Sequence, residues 1–169
     1  MPSLREVVKF ILYVLLQIFV FKDLILFGYA MSFVYILFFI GLNSEMNRGA
    51  LMLIGFFMGL IIDMFYRTGG VHAFSTVFIT YIRPFLINRF LNIDQMKKGE
   101  PLIKLSSSRW VEVAVYSLIV VFIHHFLVLF IEASSFHLFL YTLGKIICST
   151  IFTYLLFLMG NYLFVRSAS

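Results

Sequence analysis

Asp63, Arg83 and Lys145 each interrupt a long apolar run, and they are the first residues to consider for chemistry. An ionisable group at membrane depth is costly, and it usually lines an ion path, relays protons or holds a buried partner. Asp63 lies near the end of its run, residues 50–66. Two readings stand for it. It is an interfacial carboxylate paired with Arg67 four positions on, or it faces the bundle and holds another helix or a partner protein. Lys145 lies about ten residues into its run, roughly 14 Å deep at 1.5 Å per residue. Snorkelling is strained from that depth. A buried partner is expected instead, with Asp63 the best-placed acid; a ligand or transport role is the alternative. Arg83 lies a few residues from the other end of its run and is expected to snorkel. Pro84 follows it and removes a backbone donor, which should weaken or kink the helix. Positioning a partner at that kink is the second reading for both residues.

The remaining reactive types are sparse. His124 and His125 are adjacent and point in different directions on a helix, whereas a metal pair prefers a spacing of three or four. His72 and His137 are expected near the same outer face. No combination of Cys, His and carboxylate has ligand spacing, so neither metal nor cofactor is expected, and the histidines are read as core hydrogen-bonding groups. Cys148 is the single cysteine, read as a small packing residue. There is no Ser-x-x-Lys, His-Glu-x-x-His, kinase loop or pair of catalytic carboxylates. The expectation is a protein that is not an enzyme.

These residues must be positioned by elements that suit lipid. The chain is 62% hydrophobic and 12% charged, with 22 Phe among 169 residues. One soluble core of this size does not hide that much apolar surface. Six apolar runs occur, at residues 7–21, 24–42, 50–66, 71–91, 110–131 and 136–165. They exceed strand length and lack alternation, which argues against a barrel. Helices satisfy their own backbone groups, as lipid requires. The expected fold is an all-α polytopic membrane protein, a compact six-transmembrane-helix bundle. Residues 1–169 form a single transmembrane domain, with a basic connection at 92–109. Arg5 and Lys9 resemble a signal-peptide start, but no A-x-A-like site follows, so the first run is expected to be a retained helix. Gly55 and Gly59 form a G-x-x-x-G face suited to close helix approach, either within the bundle or with a partner.

Charge placement gives orientation. With the N-terminus inside, the inner segments hold nine basic residues: Arg5, Lys9, Arg48, Arg89, Lys97, Lys98, Lys104, Arg109 and Arg166. The outer connections hold two, Lys22 and Arg67. This follows the positive-inside rule, with both termini cytoplasmic. The net charge of +5 therefore serves orientation and contact with membrane lipids. Zinc-finger spacing, an aromatic platform and a glycine-rich RNA clamp are all missing, so no nucleic acid is expected.

Residues 55–84, GFFMGLIIDMFYRTGGVHAFSTVFITYIRP, resemble the bacterial rod shape-determining protein MreD family. The matching features are Gly55 and Gly59, Asp63 near the helix end, Gly70 in the turn, His72 and Ala73 at the next helix start, then Tyr81 with Arg83 and Pro84. From residue 92 onward no pattern is matched by residue. The resemblance implies a fold similar to the six-helix substrate-binding subunits of energy-coupling-factor vitamin transporters. It also implies a non-enzymatic component of the bacterial inner (cytoplasmic) membrane that helps organise lateral peptidoglycan synthesis. Implied partners are MreC, with MreB, RodZ, RodA and its penicillin-binding transpeptidase in the wider complex. A small-molecule-binding subunit of a transporter is the alternative that a six-helix bundle permits.

Overall fold

The computed structural model describes residues 4–44, 46–91, 110–134 and 139–167, with side chains as far as residue 161. The basic connection 92–109 and His137 lie outside the described residues. Six α-helices occur among those described: α1 (Leu4–Leu16), α2 (Ile36–Gly41), α3 (Arg48–Tyr66), α4 (Val71–Phe90), α5 (Trp110–Ala133) and α6 (Phe139–Ser167). A π-helical segment, Gln17–Phe21, prolongs α1. Two short strands, β1 (Ile25–Leu26) and β2 (Ala30–Met31), form an antiparallel hairpin pairing Ile25 with Met31 and Leu26 with Ala30. Helices α3, α5 and α6, the last as far as Asn161, are long and apolar enough to cross a membrane. The arrangement is a multi-pass, membrane-type helical one. Helix α4 packs between α3 and α5, and α6 packs on α5 and β2. Along its length α4 buries His72, Ser75, Thr76, Thr80 and Arg83 together with Ala73, Ile79, Leu86 and Ile87, so its interior face mixes polar and apolar groups.

Local chemistry sets the boundaries. Asn47 caps α3, its side-chain oxygen accepting from the Gly49 and Ala50 N–H groups at 2.8 and 3.3 Å. Helix α3 ends at Arg67, which takes a left-handed conformation (φ 59°) while its N–H donates to the Asp63 carbonyl at 2.7 Å. Gly69 and Gly70 follow at positive φ and turn the chain into α4.

One expectation is overturned. The second run, residues 24–42, is not a spanning helix: its first part is the β1–β2 hairpin and only Ile36–Gly41 is helical. Residues 33–40 are nevertheless all buried, with Tyr35, Ile36, Phe39 and Ile40 fully so. A segment enclosed by protein on every side carries the same continuous apolar signature as one enclosed by lipid, so hydropathy does not separate the two. This thread lies beside α4, touching His72 through Tyr35 and Arg83 through Phe39, Leu42 and Asn43. Those α4 residues are eleven positions apart, about 16 Å along the helix axis. The segment thus traverses the bundle's interior, helical over Ile36–Gly41 and non-helical before it.

Candidate functional site

A backbone without helical hydrogen bonds needs other partners at such depth, where each unsatisfied group costs several kcal/mol. The thread receives them from side chains of three helical elements. Gln17 uses both ends of its amide. Its Nε2 donates to the Ser32 carbonyl at 2.9 Å and to the Tyr66 hydroxyl at 2.7 Å, and its Oε1 accepts from the Tyr35 N–H at 3.3 Å. The π-helical turn begins at this residue. Ser149 and Thr153 on α6 accept from the N–H groups of Met31 and Phe33, at 3.0 and 3.2 Å. Four residues of helix rise about 6.0 Å and two of extended chain about 6.6 Å. The i, i+4 hydroxyls of α6 therefore match the i, i+2 N–H groups of the thread.

Arg83 serves the thread's other end. Its Nε donates to the Phe39 carbonyl at 3.0 Å, one terminal nitrogen to Asn43 at 3.2 Å and the other to Leu42. The buried Tyr116 lies close to the same guanidinium. The three carbonyls cluster at the C-terminal end of α2, where orphan acceptors and the negative dipole end favour a cation. Arg83 is 1% exposed, so the snorkelling expectation is incorrect. The carbonyls offered by α2 outcompete the distant headgroups.

Between these ends lies a ring of aromatic and imidazole groups. The Tyr35 hydroxyl sits 2.8 Å from both His72 Nδ1 and His124 Nε2, so it donates to one imidazole and accepts from the other. His125 Nδ1 lies 2.8 Å from the Val121 carbonyl and must donate to it. Its Nε2 is then an acceptor for the Thr153 hydroxyl at 3.0 Å. Phe33 packs edge-on against the His72 and His124 rings and tilted over His125. All three imidazoles are buried, as is Tyr35. The arrangement can hold α4, α5, α6 and the thread in one register. Its ring atoms are sealed from bulk solvent.

Asp63 performs a related task. Its carboxylate accepts from the Thr68 hydroxyl at 2.6 Å and from the backbone N–H groups of His72 and Ala73 at 3.0 and 2.8 Å. It caps α4 from the preceding helix, where orphan N–H groups and the positive dipole end favour an anion. The structure forms no Asp63–Arg67 pair, because the left-handed turn at Arg67 ends the helix that would align them. Nor does Lys145 meet Asp63. Lys145 lines a cleft of about 220 Å³ with Leu129, Glu132, Ala133, Tyr141 and Thr142, at the adjoining ends of α5 and α6.

Gly55 and Gly59 both face α4. A Cβ on Gly59 would lie 2.5 Å from Ala73 N and 2.6 Å from His72 O. On Gly55 it would meet Thr76 and Thr80 at 3.2 Å. Gly70, at φ 102°, stands at the α4 N-cap. Tyr81 is exposed, with the Arg48 guanidinium 4.0 Å over its ring and donating to its carbonyl at 2.8 Å. Pro84 lies inside α4. The structure thus gathers Gly59, Asp63, Gly70 and His72 at one helix junction. Arg83 sits at the far end of the thread, Tyr81 on the surface and Lys145 elsewhere. Among the described residues no three His, Cys, Asp or Glu side chains are placed to hold a metal ion.

Sequence patterns do not single out Gln17, Tyr35, Ser149 or Thr153. A usable signal was present in part: Gln17 is the lone amide in its run, and Ser149 and Thr153 share one helix face. Comparison of the chain with family models, curated proteins and solved structures finds no match.

Proposed function

We propose that this chain is a non-enzymatic membrane adaptor of the bacterial cell-elongation machinery, helping to organise lateral peptidoglycan synthesis and maintain cell shape. One observation carries the reading. Among the positions that resemble the MreD family, Gly55, Gly59, Asp63, Gly70, His72 and Ala73 lock α3 to α4, while Tyr81, Arg83 and Pro84 stand outside that lock. Gly59 admits the His72–Ala73 backbone, Asp63 caps those same two residues, and Gly70 makes the turn between the helices. A sequence pattern built from one structural lock marks a shared fold better than separate matches would. Further support comes from the buried polar groups. Most of them are spent on internal hydrogen bonds, as suits a scaffold that presents helix faces to partners.

In this reading the chain makes six passes. They are α1 with its π-helical extension, the buried thread, α3, α4, α5 and α6, which resembles the six-helix plan of energy-coupling-factor substrate-binding subunits. Both termini face the cytoplasm from the inner membrane, following the nine-to-two distribution of basic residues. The hairpin end of the bundle then faces outward. MreC is the first partner to expect, with MreB, RodZ, RodA and its transpeptidase in the wider assembly.

The test is depletion in the native cell, followed by rescue and affinity recovery of partners. Rounded cells and lost lateral wall growth, restored by the wild-type chain, are expected. Normal shape and wall growth after complete depletion would overturn the elongation role. A purified protein that binds and passes a small molecule would instead establish the transporter-subunit alternative.

A further inference from the structure

The β1–β2 hairpin carries a feature that its turn does not explain. Tyr29 N–H donates to the Leu26 carbonyl at 3.0 Å, closing a turn whose central residues are Phe27 and Gly28. Both have positive φ, 54° and 67°. Hairpin turns of this kind favour Asn-Gly or Gly-Gly, and a bulky residue at positive φ is an outlier. Phe27 is also fully exposed at 101%. Neither backbone preference nor internal packing accounts for a phenyl ring there. Leu24, Ile25 and Leu26 beside it are exposed as well.

The hairpin is held in place from behind. Tyr29 packs edge-on against Tyr141 and donates to its carbonyl at 2.8 Å. Met31 N–H is taken by Ser149. The apolar tip therefore projects from a fixed base. In the chain it follows the exposed apolar positions of the first helix and its π-helical extension, Ile11, Leu12, Leu15, Phe19 and Val20. Phe21, Lys22 and Asp23 intervene in the chain.

We propose that this tip is an interfacial anchor, with Leu24, Ile25, Leu26 and Phe27 inserted among lipid acyl chains at the hairpin end of the bundle. Its backbone stays at headgroup level. The inference rests on the membrane reading but not on the elongation role. Two observations favour lipid over a protein strand added to the hairpin edge. Each strand has two residues, which offers an incoming chain few backbone hydrogen bonds. The exposed groups are four consecutive apolar side chains, Leu24 to Phe27, which suit acyl chains. A two-residue edge lying at the interface can meet its remaining hydrogen bonds with water and headgroups, as the hydrocarbon core would not allow. Aromatic residues are enriched at that depth.

Trp110 is the single tryptophan, so a spectroscopic test is direct. Phe27→Trp is made in a Trp110→Phe background and reconstituted into phosphatidylethanolamine–phosphatidylglycerol vesicles, with and without lipids brominated on the acyl chain. The anchor predicts blue-shifted emission, loss of emission in brominated vesicles and weak quenching by aqueous acrylamide. Ile25→Trp, on the same hairpin, provides a second probe if the first variant is recovered poorly. Strong acrylamide quenching without bromolipid quenching places the tip in water and overturns the proposal. Blue-shifted emission insensitive to both quenchers means that protein covers the tip, a second copy or a partner, and overturns it equally. Neither failure bears on cell elongation, which depletion tests separately.

Discussion

Replacing Gly59 with Ala adds one methyl group at the tightest point between α3 and α4. The new carbon would stand 2.5 Å from Ala73 N and 2.6 Å from His72 O, both backbone atoms that no rotamer change can move. Ordinary contact needs about 3.5 Å, so the helices must separate by about 1 Å locally. That shift also stretches the Asp63 hydrogen bonds to the His72 and Ala73 N–H groups from 3.0 and 2.8 Å toward non-bonding distance. Overpacking costs about 1–3 kcal/mol. Weakening charge-assisted bonds adds about 1–2 kcal/mol, while the better helix propensity of Ala returns about 1 kcal/mol. The net loss is about 1–4 kcal/mol, or roughly 2–16 °C in apparent Tm at 2–4 °C per kcal/mol for a chain of this size. Gly55→Ala is the internal control. Its Cβ meets a carbonyl and a threonine side chain at 3.2 Å, so a few tenths of an ångström of movement suffices. The assay is thermal unfolding of detergent-solubilised protein followed by size-exclusion recovery. A Gly59→Ala protein as stable as Gly55→Ala would refute the lock between α3 and α4.

Substitutions at three further positions test the polar clamp by the same assay. Asp63→Asn should lower stability by about 1–3 kcal/mol, since an amide nitrogen then faces an N–H donor, and Asp63→Leu should be worse; equal stability of Asp63→Leu and wild type would remove the capping role. Arg83→Lys keeps the charge but cannot reach three carbonyls from one nitrogen, so a loss of about 2–4 kcal/mol is expected; full rescue by Lys would mean that charge alone matters. Thr153→Val is close in shape and removes the acceptor for Phe33 N–H and the donor for His125, with an expected cost of about 1–3 kcal/mol; an unchanged melting curve would show that the thread does not depend on α6.

Long helices were legible wherever hydropathy and end signals agreed. The run 71–91 corresponds to α4 within one residue, because Gly70 starts it and Leu91 leaves the helix in extended conformation. The G-x-x-x-G face was legible too, since small residues at i and i+4 permit close backbone approach. The thread was not. Residues 24–42 satisfy every compositional test for a span, and no local signal reports that protein rather than lipid surrounds them. Arg83 was misread for the same reason. Its depth was inferred from an ideal helix in lipid, whereas its partners are carbonyls that exist only because α2 is short. Asp63 was legible as a helix-holding carboxylate, but the helix it holds is its own neighbour in sequence.

These outcomes bear on how polar residues at membrane depth are interpreted. Such residues are usually taken first as pathway or ligand groups. A chain that crosses the interior partly unwound creates a prior demand, because each unpaired backbone group must be met by a side chain. Gln17, Ser149, Thr153 and Arg83 meet that demand here, and Asp63 meets the related demand of the α4 N-terminus. Removing any of them would perturb whatever the protein does, without marking a site of action. The polar atoms that deserve a functional question are those in excess of backbone need. Among the described residues His124 Nδ1, Thr150 Oγ1 and Asn43 Oδ1 are buried with no partner. His124 is the most informative of these, since its other nitrogen is fixed on Tyr35 in the ring that binds α4, α5 and the thread together. A substitution there that changed partner recovery while leaving thermal stability intact would separate action from architecture, a separation that substitutions at the clamp residues cannot make.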